Sequence, residues 1–447
     1  MRIPRTPPKF DPLFRGFLKR DPDFFIRGLA ATNRSPLVNG KYLHWDELRH
    51  RPTPPDMDHE QWWGFIKFTR RTISKQVPMR DTHGEPFKYV VLPSVTEFLH
   101  KTDVGAGGRI EMPDQITNPD TRDRYYVSSI IEEAITSSQL EGASTTHRVA
   151  EEMIRGGRRP RDKSERMILN NFLTMKHIAE SRTEKLTPEI VFEIHRRLTD
   201  QTLEDPDQAG RLRKPDEEVY VRNLERDEVL HIPPPADELS ERMTEMCDFA
   251  NGKTPEEFLH PALRSMILHF WLAYDHPFVD GNGRTARALF YWSMLRHGYW
   301  LFEFVSISRI LRNSPAKYGL AFWYTETDEN DLTYFLIHQL SVIEQAISGL
   351  NTYIEAKSHE MQTLVRKLKA LEHLNHRQRA LVSHALRHPN HRYTVESHRM
   401  SHNVVRQTGR TDLLDLVSRG LLNIEKVRRT QYFTPVPNLE ARLRSTN

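Results

Sequence analysis

A single cysteine, Cys247, stands in a chain of 447 residues. That excludes an internal disulfide and any cysteine-based metal cluster. Long hydrophobic runs are also missing. The longest, near Met266 to Tyr274, is too short to span a bilayer, and the mean hydropathy of −0.64 agrees. The first residues, MRIPRTPPKFDPLF, hold no continuous apolar stretch of the kind a signal peptide needs. No membrane attachment is expected, and a cytoplasmic location is the default. No His-Glu-x-x-His or other spaced metal-ligand pattern occurs, so His260 and His269 read as structural. Net charge is only +4. It is unevenly spread: residues 361–447 hold 16 Lys and Arg against 6 Asp and Glu, which leaves the preceding chain acidic. A basic terminal segment points to a separate module with an anionic partner.

What is present is a soluble composition, 38% apolar and 28% charged, on a chain long enough for two or three domains. One stretch concentrates chemistry: His276-Pro-Phe-Val-Asp-Gly-Asn-Gly-Arg-Thr-Ala-Arg287. It lies between two apolar runs, Ser265 to Tyr274 and Ala288 to Leu295, which reads as helix, tight loop, helix. Gly281-Asn282-Gly283 supplies a loop that a ligand can approach closely. From Arg284 the pattern is helical. A helix N-terminus offers free N–H groups and a positive dipole end, so phosphate fits there. Arg284 and Arg287 share one helix face, and each can fork two donors onto phosphate oxygens. Asp280 beside phosphates calls for a divalent cation between them, as Mg²⁺ provides in such sites. His276 is the one group in the stretch that titrates near neutral pH and can accept a proton.

Taken singly, these parts read as a turn, a helix-end histidine and a solvated arginine face. In this order they resemble the Fic-family signature, His-x-Phe-x-(Asp/Glu)-Gly-Asn-Gly-Arg-x-x-Arg, at every specified position. The resemblance implies a mainly α fold: a Fic helical bundle with a small β-hairpin flap. It also implies roles. His276 would be the general base and Asp280 the Mg²⁺ ligand. Gly281, Asn282 and Gly283 would line the anion loop, with Asn282 near the α-phosphate of ATP. Arg284 would hold the β-phosphate and Arg287 the γ-phosphate, while Phe278 anchors the loop in the core. Fic proteins often carry Asn-Arg-x-x-Tyr-Tyr after the signature helix, near the nucleotide base. Here Asn313 and Tyr318 match, while Ser314 and Lys317 depart.

Upstream, Ser137-Ser-Gln-Leu-Glu141-Gly142 resembles the inhibitory motif (Ser/Thr)-x-x-x-Glu-(Gly/Asn) of Fic proteins, matched at Ser137, Glu141 and Gly142. The resemblance implies that Glu141 pairs with Arg287, the arginine that the γ-phosphate also needs. ATP could then bind only in a pose unsuited to transfer. A charge-assisted pair worth a few kcal/mol, on the order of 2, is enough to bias a two-state site.

The chain divides, on this reading, into an N-terminal domain at 1–125 and a Fic region at 126–350. Within the latter lie an inhibitory helix at 126–145, a flap at 214–235 and the signature loop at 276–287. A linker helix at 351–373 and a winged-helix-like module at 374–447 follow. Residues 126–154 read as one helical region, and Gly105 to Gly108 as a flexible boundary. The aromatic cluster Trp62, Trp63, Phe65, Ile66, Phe68 reads as a packing surface rather than a ligand cage. The hairpin pattern around Val219–Val221 and Val229–Ile232 corresponds to the Fic flap, which holds a target segment by strand addition. Three helices in the tail, the third from His402 to Ser418, precede a strand-like wing. That third helix, with Arg406, Gln407, Arg410 and Thr411, would face a DNA groove, unless the module serves as a protein docking or homodimer surface.

The expected function is protein adenylyl transfer (AMPylation): AMP moves from ATP to a Ser, Thr or Tyr hydroxyl of an unknown target protein. Relatives with Lys in place of the second loop glycine phosphorylate instead, and Gly283 is retained here. The alternatives within the family are removal of AMP from a modified protein, with Glu141 positioning a water, and transfer of another nucleotidyl group. The rival reading is a DNA-binding transcription regulator that senses nucleotide without transferring it. Intact His276 and Asp280 argue against that.

Overall fold

The computed structural model describes residues 3–20, 22–104, 119–223, 228–370, 374–427 and 430–445. Two compact units emerge: Met1–Gly108 with Ile130–Ala346, and Arg109–Ser129 with Ile347–Asn447. Among the described residues helices dominate, and the strands form three antiparallel pairs. No described helix is long and apolar enough to cross a membrane.

The first unit is built on two adjacent, almost wholly buried helices: Pro261–Asp275, apolar on nearly every side, and Asn282–Arg296, which buries Asn282, Arg284, Thr285 and Arg287 in its first turns and an apolar run after them. A helix hydrophobic on every side belongs in a core. The pair approach closely where both side chains are small: Ser265 Oγ donates to Ser293 Oγ at 2.8 Å. His260 caps the first helix, its ring accepting from Ala262 N–H, and Pro261 occupies the first turn where no N–H is needed. Lys163–Glu180 and Pro188–Thr199 pack around this pair, each started by a side-chain cap, Asp162 or Thr187.

The N-terminal residues do not form a domain of their own, contrary to the boundary expected at 125. Their packing partners lie some 250 residues downstream. Arg70 is buried under Tyr42 and donates to Tyr334 Oη at 2.8 Å and to the Leu43 carbonyl at 2.9 Å. Lys67 pairs with Asp328 at 2.8 Å, and Tyr42 donates to Asp331 at 2.6 Å. Strand Pro86–Val90 pairs with Ser74–Arg80 and is tied to Asn330 and Leu332 by backbone hydrogen bonds through Lys88. Phe87 seats edge-on against Phe270 and Tyr274 of the central helix. The Trp62, Trp63, Phe65 and Ile66 side chains are buried, as a packing surface should be. Gly105 to Gly108 lies outside the described residues.

The helical region expected at 126–154 is two helices, Pro119–Leu140 and His147–Gly156. Gly142, at φ +91°, breaks it. Ala143 N–H bonds the Ser138 carbonyl and Gly142 N–H the Gln139 carbonyl, a left-handed helix end that satisfies two last-turn acceptors.

In the second unit, the helices His376–Arg387, Val395–His402 and Arg406–Ser418 enclose a core of Leu381, Val382, Leu413, Leu416 and Phe433. Strands Leu422–Val427 and Thr430–Pro435 pair antiparallel, and Tyr393 exchanges both backbone hydrogen bonds with Phe433. The third helix starts at Arg406 rather than His402, because Asn403 takes a left-handed conformation that ends the preceding helix. The linker helix begins far upstream of 351, as part of Thr333–Ala370.

Candidate active site

Every group of the site sits in the first unit. The helix Pro261–Asp275 ends on His276, whose backbone is left-handed at φ 45° and ψ 54°. Its N–H still bonds the Leu272 carbonyl, so the imidazole is fixed at the helix end. The chain then turns inward. Phe278 is fully buried and stacks face to face on His195 at 3.8 Å. Asn282 closes the loop on itself: its Oδ1 accepts from Phe278 N–H at 2.9 Å and its Nδ2 donates to the Phe278 carbonyl at 2.7 Å. The Asn282 side chain is therefore a brace. Its backbone N–H belongs to the first turn of the helix Asn282–Arg296. Gly281 has φ +84°, and a Cβ there would lie 2.8 Å from Thr199 Cγ2, so only glycine fits.

His195 was not anticipated from the sequence, yet it fixes the loop. Its Nδ1 accepts from Gly210 N–H at 2.9 Å, which places the ring proton on Nε2, where it donates to the Asp280 carbonyl at 2.8 Å. Burial holds its pKa down at about 4, so the ring stays neutral in this tautomer. The only local signal was a histidine on the apolar face of the helix Pro188–Thr199, a common core feature.

The helix Asn282–Arg296 presents its N-terminus to this loop. Its first backbone hydrogen bond runs from Thr285 N–H to the Gly281 carbonyl, so the N–H groups of the first turn have no helical acceptor. Arg284 is buried beneath it. One guanidinium nitrogen donates to the Leu198 carbonyl at 2.9 Å, while Nε and the other terminal nitrogen are buried without a hydrogen-bond partner among the described residues. Asp280 is the nearest carboxylate, at 3.9 Å. Burial lowers the pKa of Arg284. Two buried donors without hydrogen-bond partners beside free first-turn N–H groups are the chemistry that suits an oxyanion.

Arg287 is buried and fully engaged. Its Nε donates to Ser137 Oγ at 2.8 Å, and one terminal nitrogen donates to the Ser137 carbonyl and to Glu141 Oε1, both at 2.9 Å. Burial opposes its charge, but Glu141, Tyr318 and Glu133 together outweigh burial and its pKa is raised. A Cβ on Gly283 would lie 2.2 Å from Glu141 Oε1. The missing side chain at Gly283 is what lets the Glu141 carboxylate rest against the first turn of the helix. Ser137, Glu141 and Arg287 are thus brought together, with Gly142 ending their helix just beyond.

A second carboxylate of the Pro119–Leu140 helix went unnoticed in the sequence. Glu133 is buried and accepts from Tyr291 Oη and Ser306 Oγ, both at 2.8 Å, from Ser308 N–H at 3.1 Å and from Ser308 Oγ. It fastens the helix that carries Glu141 to the signature helix and to the segment after it.

His276 itself is partly buried. Its Nδ1 lies 3.2 Å from the Ala273 carbonyl, which can only accept, so the proton sits on Nδ1 and the Nε2 lone pair is left for chemistry. Burial lowers its pKa to about 4. The Ala273 hydrogen bond opposes that shift, and the nearby His231 reinforces it. At neutral pH it is an uncharged base.

Asp280 is half exposed at the loop edge, one oxygen accepting from Gly281 N–H at 2.5 Å. No cluster of three or more metal-binding side chains occurs among the described residues. A single exposed carboxylate beside a phosphate cradle is nonetheless the donor set that Mg²⁺ uses when phosphates complete its shell. Tyr318 lies beside the site, its hydroxyl 2.7 Å from His269 Nε2. Asn313 is exposed at the end of the helix Ile307–Asn313, with no described side-chain contact.

The hairpin strands are Val221–Asn223 and Glu228–His231, with residues 224–227 outside the described set. Arg213 anchors the hairpin's base: its Nε donates to the His276 carbonyl at 3.0 Å and its guanidinium also donates to the Pro234 carbonyl. Val229 and Ile232 stand exposed on the hairpin.

Residues 185–294 match the Fic/DOC family. The match spans the helix that carries His195, the hairpin and the signature loop, and stops before the end of the signature helix. The chain is 36% identical over 118 residues to a protein adenylyltransferase Fic of Nematostella vectensis, an alignment covering 26% of this chain and 25% of that protein. It is 35% identical over 134 residues to a protein adenylyltransferase Fic of Drosophila willistoni, covering 30% and 24%. The chain thus spans about a quarter of the length of the curated relatives it matches. The crystal structure of a Fic family protein from Desulfovibrio desulfuricans superposes with a TM-score of 0.52 at 19% identity, over 78% of this chain and 98% of that one. The Fic fold is therefore shared well beyond the matched segment.

Proposed function

We propose that this chain transfers AMP from ATP to a Ser, Thr or Tyr hydroxyl of a protein, itself included, and that Glu141 holds the site off. The observation that carries the reading is the pairing of a neutral His276, with Nε2 free, and a buried Arg284 that lacks partners for two donors. The hydroxyl oxygen attacks the α-phosphorus, its proton passes to His276 Nε2, and the bond from α-phosphorus to the bridging oxygen breaks, releasing pyrophosphate. Arg284 and the first-turn N–H groups stabilise charge that develops on the phosphates. A Mg²⁺ ion held by Asp280 would offset charge between the α- and β-phosphates. The hairpin edge would lay a target segment beside His276 by strand addition. The test is transfer from ATP labelled at the α- or the γ-phosphorus to full-length protein carrying Glu141→Gly. Label from the α position alone, absent in the same protein with His276→Ala, is expected. Transfer of γ-label would replace the reading with phosphorylation.

We further propose that 374–447 is a winged-helix module that contacts DNA. Arg406, Gln407, Arg410 and Thr411 are all exposed on its third helix, at or near the N-terminal turn. Binding of duplex DNA that weakens with salt and with Arg406→Ala/Arg410→Ala is expected. Dimerisation lost in that variant, without DNA binding, would instead make the surface an interface between copies.

A further inference from the structure

His231, the last residue of the second hairpin strand, lies between two acceptors. Its Nδ1 is 2.7 Å from Glu326 Oε2, on the helix Pro315–Thr327, and its Nε2 is 2.6 Å from the Tyr274 carbonyl. A carbonyl cannot donate, and neither can an ionised carboxylate. Both ring nitrogens must then carry protons, which only the imidazolium does. We propose that His231, as an imidazolium, is a positioning residue that clasps the hairpin to the helix end bearing His276. The proposal rests on the transfer reading for its catalytic consequence, not for its geometry.

The clasp has a counterpart. At the same base, Arg213, before the first strand, donates to the His276 and Pro234 carbonyls. His231 ties the opposite strand to Tyr274, two residues before His276. Together they fix the distance between the hairpin edge, where a target segment would lie, and the base. The clasp also adds positive charge near His276, which helps to keep that ring unprotonated.

The groups facing His231 are Glu326 from one helix, and Tyr274, Asp275 and His276 from the end of another. Arg242 pairs with Asp275 at 2.8 Å, and Arg213 stands at the hairpin base. The His231 ring is tilted on Tyr274 at 4.7 Å. Burial lowers the pKa of His231, but Glu326, the Tyr274 carbonyl and Asp275 outweigh it and the net shift is upward. Asp275 is itself pushed up to about 6 by burial, against the pull of Arg242. A raised histidine pKa means the clasp is fully present below the ordinary value near 6.5 and is lost as pH rises through the raised value.

The test uses full-length protein with isotope-labelled histidine, the His231 signal being assigned through His231→Gln. Its titration midpoint should lie above 6.5 and fall in Glu326→Gln. Hydrogen exchange of residues 228–231, corrected for intrinsic rates, should quicken roughly tenfold in Glu326→Gln at pH 6, the loss of one charge-assisted hydrogen bond. Wild type should approach that rate at high pH. In a Glu141→Gly background, α-label transfer should fall as pH rises through the His231 midpoint, and should lack that limb when Glu326→Gln is added. A His231 midpoint at or below 6.5, or hairpin exchange indifferent to Glu326→Gln, overturns the clasp. Titration and exchange as expected with no transfer by any variant supports the clasp and overturns the transfer reading alone.

Discussion

Glu141 accepts a hydrogen bond from Arg287 at 2.9 Å across 146 residues of chain, and does so over a glycine, Gly283, whose Cβ would collide with it. The carboxylate is both a partner for the second signature arginine and an occupant of the first turn of the signature helix. On the proposed reading a nucleotide phosphate would need the same guanidinium and the same space against that turn. Inhibition would then be competition of one anion with another at fixed donors, with no need for a large movement of the fold.

Ser137 shares the grip on Arg287. Replacing it with Ala removes the Oγ acceptor and leaves the backbone carbonyl and Glu141 in place. The loss of one such bond, about 1 kcal/mol, should raise self-labelling several-fold. Initial rates should rank wild type, Ser137→Ala, Glu141→Gly in ascending order. A Ser137→Ala rate equal to that of Glu141→Gly would make the serine, not the glutamate, the main restraint.

Gly283→Ala should expel the Glu141 carboxylate, whose oxygen lies 2.2 Å from where the new carbon would be. Overpacking of this kind costs about 1–3 kcal/mol. The same substitution in a Glu141→Gly background should cost much less, so a double-mutant cycle by denaturant unfolding should show strong coupling. Additive effects would mean that the two residues do not meet in solution.

Glu133 collects donors from Tyr291, Ser306 and Ser308 with no described cation against it. Glu133→Gln turns part of that acceptor surface into an N–H₂ group facing donors. A stability loss of about 2–3 kcal/mol is expected. Because Glu133 lies about two turns before Glu141, on the helix Pro119–Leu140 that leads into it, the substitution should also loosen the Glu141 contact and raise labelling. Lower stability with unchanged labelling would separate Glu133 from control of the site.

These relationships mark the limit of what the sequence made legible. The loop from His276 to Arg287 could be read because its groups are neighbours in sequence and the helix N-terminus arranges them. Glu141 was readable only through its resemblance to a known motif. His195, Glu133, Arg213 and His231 carry no such mark. Each has a partner between 43 and 175 residues away, and nothing local separates them from ordinary core or surface residues. Asn282 was read as lining the anion loop, and nothing local announced that its amide also braces that loop through Phe278. The N-terminal boundary was misplaced for a similar reason: Arg70 and Tyr42 find their partners near Tyr334, far beyond any local pattern.

Acid should unfold the protein through its buried neutral histidines. Burial holds His195 and His276 at about 4 and His269 at about 3. Each takes up a proton more readily when unfolded, near 6.5. Their stabilising contribution is therefore present above 6.5 and is lost as pH falls toward the folded values, with an upper bound on the order of 3 kcal/mol for His195 and about 5 kcal/mol for His269. Unfolding free energy measured from pH 7.5 to 4.5 should decline, and His195→Gln should flatten the decline. An unchanged slope in that variant would mean that His195 is not buried as a neutral ring.

The central claim is that the site is competent but occupied by its own chain. The most direct measurement is the rate of self-labelling by α-labelled ATP with Mg²⁺, comparing wild type with Glu141→Gly at equal protein and nucleotide. The account expects weak labelling in wild type and at least tenfold faster labelling in Glu141→Gly, the factor that follows from losing a charge-assisted bond of about 1.5–3 kcal/mol. Equal rates in the two proteins would contradict it.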